Sequence, residues 1–109
     1  MIVVREYETA EGKSPFTKWF RSLKAIPAAR ITVALSRIEQ GLLTDVKGVG
    51  KGVQEYRLHK SPGYRIYFGR EGDTLVILLG GGTKRTQDRD IERTQEYWAD
   101  YKKRKKKEK

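Results

Sequence analysis

A change of apolar period partway along the chain constrains its fold more than any other feature. Up to Leu42 the large apolar side chains recur at helical spacing: first Phe16, Trp19, Phe20 and Leu23, then Ile31, Ala34, Leu35, Ile38 and Leu42. A helix turns once in about 3.6 residues, so each set falls on a single face. Beyond Val53 the pattern shortens to three strand-like runs, Val53 to His59, Tyr64 to Gly69 and Thr74 to Leu79. Ser61-Pro62-Gly63 and Glu71-Gly72-Asp73 separate them, and such residues suit tight turns. Runs this close together can join only as antiparallel neighbours, so the spacing predicts a meander with its most apolar strand last.

Punctuation completes the order of elements. Ile2 to Glu8 is rich in β-formers and reads as a first strand. Ser14-Pro15 starts a helix, serine as N-cap and proline in the first helical position. Pro27 is expected to break the helical stretch into a hairpin, and Gly41 to end its second arm. Gly48, Gly50 and Gly52 mark a loop, and Gly80-Gly81-Gly82 closes the meander. A last helix is expected from about Gln87 into the tail, with Ile91, Thr94, Trp98 and Tyr101 inward and Asp88 and Asp90 in its first turn, where the helix dipole favours acids. The order β-α-α-β-β-β-α predicts an α+β fold, its helices on one face of a twisted sheet. Residues 1–101 are expected to form one domain, followed by a basic tail, 102–109.

The 109 residues are 37% hydrophobic and 35% charged, enough for one small core. The absence of cysteine removes disulfides, thiolate chemistry and cysteine zinc sites. One histidine cannot hold a metal alone, and no cofactor is expected. No apolar run reaches the ~20 residues of a membrane span and no signal peptide is read, so the expected compartment is the cytoplasm.

The net charge of +10 is unevenly spread. Residues 102–109 hold seven basic side chains and one acidic one. Between Val46 and Arg85, eight Lys and Arg face only Glu55, Glu71 and Asp73, while Thr86 to Tyr101 carries five acids against two arginines. A polyanionic partner is therefore expected along the middle of the chain. The tail reads either as a solvated helix end or as a nucleic-acid contact.

No phosphate-loop motif is present: Gly82-Thr83-Lys84 has the wrong order, and Gly48 to Gly52 lacks a hydroxyl residue after its lysine. In the meander, period two places Glu55, Arg57 and His59 on one face and Arg65 with Tyr67 on one face of the next strand. If the alternate residues meet the helices, Arg57, His59, Arg65 and Tyr67 share an open face, with Lys84 and Arg85 arriving from the third strand. Such a set suits phosphodiester chemistry: cations hold the phosphate, His or Tyr moves protons, and an aromatic ring stacks a base. The same pattern also describes an ordinary solvated sheet face.

Three runs then acquire meaning together: DVKGVGKGVQEYR from Asp45 to Arg57, PGYRIYF from Pro62 to Phe68, and LLGGGTK from Leu78 to Lys84 with Gln87, Asp90 and Ile91. With the Phe16/Trp19 helix and the Trp98/Tyr101 helix, they resemble the phage-derived HigB-like branch of the RelE/ParE toxin superfamily, often called addiction-module killer proteins. The resemblance covers nearly the whole chain. It implies a compact RelE-like α+β fold, a cognate antitoxin of helix-turn-helix type, and operator DNA bound through the antitoxin complex. For most members it implies metal-independent cleavage of mRNA on the ribosome, the RNA's own 2′-hydroxyl attacking the adjacent phosphate. By position, Arg65 matches the arginine on the scissile phosphate, Arg57 and His59 lie near the family's strand lysines, and Lys84 or Arg85 matches the basic residue after the last strand.

The expected catalytic set is thus Arg57, His59, Arg65 and Lys84, with Lys47, Lys51, Tyr67, Arg85 and Gln87 as RNA contacts. The carboxylate–histidine pair of some relatives has no clear equivalent, and His59, Lys47 and Glu55 remain candidates for the base. Two other readings share the resemblance: a ParE-like gyrase poison without nuclease activity, and an inactive homologue acting as a regulator with antitoxin and operator.

Overall fold

The structure, a computed structural model, describes residues 1–108, so the last residue of the basic tail lies outside the described residues. In chain order the elements are β1 (Val3–Glu6), α1 (Pro15–Arg21), α2 (Ala25–Glu39), β2 (Val46–Gly48), β3 (Gln54–Arg57), β4 (Arg65–Glu71), β5 (Leu75–Gly82) and α3 (Gln87–Lys107), with a 3-10 turn over Lys84–Thr86 before α3. This is a mixed α+β fold of one five-stranded sheet and three helices.

The helix starts and stops follow local chemistry. Ser14 Oγ accepts the Thr17 N–H at 3.1 Å while Pro15 fills the first position, where no N–H bond is lost. Pro27 falls inside the first turn of α2, not in the link before it, because a first-turn proline gives up only an N–H that the helix leaves unbonded. α2 ends in a Schellman motif: Gly41, at φ 79°, donates to Ile38 O and Leu42 to Arg37 O.

The strands stand in the order β1-β5-β4-β3-β2. The meander is as its turns dictate, β3, β4 and β5 running antiparallel, and β1 adds in parallel on the far side of β5. β5 is therefore central, which accounts for its apolar sequence. The glycine-rich segment supplies a further strand, β2, pairing Lys47 with Glu55 where a loop is expected from sequence.

The helices do not gather on one face. α1 and α2 pack on one side through Phe16, Ile31, Ala34 and Ile38 against Tyr56, Ile66, Phe68, Val76 and Leu78. α3 covers the other side, where Trp98 meets Val53, Tyr67, Ile77 and Leu79. The physical reason lies in the strands: Arg65 to Gly69 of β4 are buried without a break, so both faces need a cover. Two glycines seat the tryptophans. An added Cβ at Gly69 would stand 2.5 Å from the Trp98 ring, and one at Gly81, on the opposite face, would fall inside the Trp19 ring.

The tail is a continuation of α3, and it is anchored. Arg104 bonds Asp100 and the Glu8 carbonyl and lies over the Tyr7 ring, and Lys105 pairs with Glu71 at 2.6 Å. No helix is long and apolar enough to cross a membrane among the described residues.

Candidate functional site

Strand register assembles the site as two rungs on the α3 side of the sheet. Across β2, β3, β4 and β5 the first rung is Lys47, Glu55, Tyr67, Gly80; the second is Arg57, Arg65, Gly82. Period two puts these side chains on one face, as the sequence pattern requires. The face is not open, because the first turns of α3 lie on it.

Glu55 is the centre of the cluster and is fully buried. Its Oε2 accepts the Gln87 amide at 2.9 Å, with Arg65 Nε at 3.6 Å, and Lys47 Nζ stands 4.0 Å from Oε1 at the rim. A carboxylate is kept ionised in such a place only by nearby cations and donors. Arg65 bonds the Gly63 carbonyl through Nη1 at 2.6 Å. Glu55 Oε1, Arg65 Nε and the Tyr67 hydroxyl have no hydrogen-bond partner, so acceptor and donors lie within one cluster unspent. Burial pushes the Tyr67 phenol well above its ordinary range, and Glu55 and Asp90 add to the shift, so the hydroxyl stays protonated.

These facts correct the expected roles of several residues. Arg65 does not point outward: its side chain is 5% exposed, drawn inward by Glu55 and covered by α3. Tyr67 is wholly buried against Trp98 and its neighbours and offers no ring to a base. The Gln87 amide is engaged with Glu55. His59 lies beyond the end of β3 and off the two rungs. Its imidazole is held 2.9 Å from Asp45, in a groove beside α2 on the other side of the sheet, because β2 and β3 are too short to carry the face that far. Lys51 caps the β2–β3 turn in left-handed backbone, at φ 54°. That turn touches α3 at Gln95 and Trp98, two turns or about 12 Å along the helix from Gln87, so Lys51 is not part of the cluster.

Other expected residues do come together. A Cβ at Gly63 would meet Arg65 Nη1 at 3.0 Å and Lys84 Cβ at 3.5 Å, which places the 62–64 turn, Arg65 and Lys84 side by side. Lys84 and Arg85 are exposed on the 3-10 turn, whose hydroxyl Thr86 donates to Asp90 at 2.5 Å. Arg57 is half-buried opposite Arg65. Among the described residues no carboxylate pairs with Arg57, Lys84 or Arg85. Like charges facing each other across strands repel, so the second rung is a place where an anion would be stabilised. No group of three or more His, Asp or Glu is placed to hold a metal among the described residues.

The organising role of Glu55 is what sequence reasoning misses, although a signal exists. It is the single acid between Val46 and Arg70, on a strand whose same-face neighbours are cationic. The sequence marks it as a candidate base, not as the group that turns Arg65 inward.

No family model matches the chain. It is similar to an uncharacterized protein of Haemophilus influenzae, 42% identical over 77 residues, which is 70% of this chain and 78% of that protein. At that identity and coverage, the chain belongs to the same family as the Haemophilus influenzae protein.

Proposed function

We propose that the protein is the toxin of a toxin–antitoxin pair and a metal-independent RNA endonuclease of RelE type, acting on mRNA. One observation carries the reading: Arg57, Lys84 and Arg85 lie without acidic partners around a buried carboxylate–arginine pair. The sequence resemblance to HigB-like toxins supports it independently.

Cleavage proceeds by attack of a 2′-hydroxyl oxygen on the adjacent phosphorus. The new P–O2′ bond forms as the P–O5′ bond breaks, leaving a 2′,3′-cyclic phosphate and, after proton uptake, a 5′-hydroxyl. The protein must hold a phosphate, stabilise the negative charge that grows on it, and take the 2′ proton. Arg57, Lys84 and Arg85 hold the phosphate from the rim. Arg65, fixed by Glu55 and Gly63, adds positive potential from behind without direct contact. Of the three candidate bases, Lys47 and Glu55 border this cluster, and His59 is set apart.

The test is induction followed by analysis of RNA ends. Expected are cuts bearing 2′,3′-cyclic phosphates, reduced about 10²–10³-fold when a phosphate-holding cation is removed, as for loss of one transition-state donor. Intact mRNA in arrested cells would refute the nuclease reading.

A second reading, a ParE-like toxin that binds gyrase and cuts no RNA, is favoured by the burial of Arg65, which suits a structural ion pair as well as a catalytic one. Pulse labelling separates the two. Translation stops first for the nuclease, whereas DNA synthesis stops first and an SOS response follows for the gyrase poison.

A further inference from the structure

We infer that the groove between α2 and the β3–β4 connection is a docking surface for an acidic amphipathic helix of a partner protein. α2 buries Ile31, Ala34 and Ile38 against the sheet yet leaves Ile26 72% and Val33 54% exposed. Ile26, Ala29 and Val33 follow at helical spacing, a stripe about 10 Å long that forms one wall of the groove. Tyr56, Leu58 and Tyr64 form the other wall, and the space between is about 630 Å³. An apolar stripe of two turns facing an apolar wall is the geometry by which one helix receives another.

The rim selects the occupant. Arg30 and Arg37 flank the stripe on α2, and Arg57 and Lys60 border the opposite wall. The groove's one acid, Asp45, is already engaged by His59. Four cations around an apolar floor match a helix with leucine-like residues along one stripe and Asp or Glu beside it. A second copy of this chain does not fit, since it carries +10 and would set Arg30 and Arg37 against the same cations. RNA would satisfy the cations and leave Ile26 and Val33 in water. The docking goes beyond the nuclease reading and holds for either kind of toxin.

The experiment titrates the full chain with a synthetic amphipathic helix, leucine on one stripe and glutamate elsewhere, by calorimetry and amide-shift mapping. Controls are a lysine-for-glutamate copy and a hexauridylate. Expected is binding of the glutamate helix, with shifts along α2 and around Lys60, and no comparable binding of either control. Val33→Glu and the pair Arg30→Glu with Arg37→Glu should each weaken it by roughly tenfold or more, the loss of one hot spot. All three positions lie outside the sheet core, and circular dichroism checks that each variant is folded. Equal binding of the lysine copy, preference for hexauridylate, binding unchanged in Val33→Glu, or a dimer abolished by Val33→Glu would each overturn the inference. RNA cleavage is scored separately: loss of peptide binding with cleavage intact leaves the nuclease reading standing, and the converse leaves the groove standing.

Discussion

Replacing Arg65 with alanine tests whether the arginine holds the fold or only awaits a substrate. Its side chain is 5% exposed and that of its partner Glu55 is 0% exposed. Truncation at residue 65 removes the nearest cation from a buried carboxylate, which keeps the Gln87 amide at 2.9 Å and Lys47 at 4.0 Å. Breaking one partner from a buried pair costs about 3–5 kcal/mol. The surviving contacts argue for the lower end, about 3 kcal/mol. In a domain of this size each kcal/mol moves the thermal midpoint by about 4–8 °C, so a drop of more than about 10 °C is expected. Replacing both partners with methionine should recover much of the loss, because apolar residues of similar volume leave no unpaired charge. The assay is thermal and urea unfolding followed by circular dichroism for the two single variants and the double variant. An Arg65→Ala protein with an unchanged midpoint, or singles whose losses simply add in the double, would show that the ion pair does not stabilise the sheet.

Three further expectations follow from the packing. Gly69→Ala places a Cβ 2.5 Å from the Trp98 ring and should cost at least about 1–3 kcal/mol through overpacking, read as a lowered midpoint in urea. Truncation after Tyr101 should leave a folded protein with a lower midpoint, because it removes the Arg104 and Lys105 anchors while the helix keeps Trp98; if the tail also meets RNA, the salt slope of binding should flatten. Tyr7 is pushed up from 10 to about 12, by burial first and then by its bond to Asp100. Because the folded pKa is the higher one, the stabilisation is complete below pH 10 and is lost as pH rises from 10 toward 12. Tyr7→Phe should therefore reduce the alkaline loss of stability in that window, and an identical pH profile for the two proteins would contradict it.

Much of the fold can be read from particular residues. Ser14-Pro15, Gly41 and the turns at 61–63 and 71–73 fix where elements begin and end, since each imposes a local backbone or capping geometry. Which face of the sheet is covered is not legible in the same way. Glu55, Arg57, Arg65 and Tyr67 read as an outward polar face because period two reports only that residues share a side. It does not report that Trp98 will lie on Gly69, nor that Glu55 will draw Arg65 inward. The parallel pairing of β1 with β5 joins segments about 70 residues apart and leaves no local mark. The site shows the same division. Register alone aligns Lys47 with Glu55 and Arg57 with Arg65, whereas the departure of His59 depends on the short length of β3.

The central claim, that the unpaired cations beside Glu55 hold a scissile RNA phosphate, is tested most directly by sequencing RNA ends after brief induction of the wild type and of Arg57→Ala and Lys84→Ala. Both positions are partly or wholly exposed, so the variants should fold, as circular dichroism can verify. The expected result is a set of 2′,3′-cyclic phosphate ends in the wild type, with translation halted before DNA synthesis, and loss of those ends in both variants. Undiminished ends in the two folded variants, or DNA synthesis stopping first with mRNA intact, would contradict it.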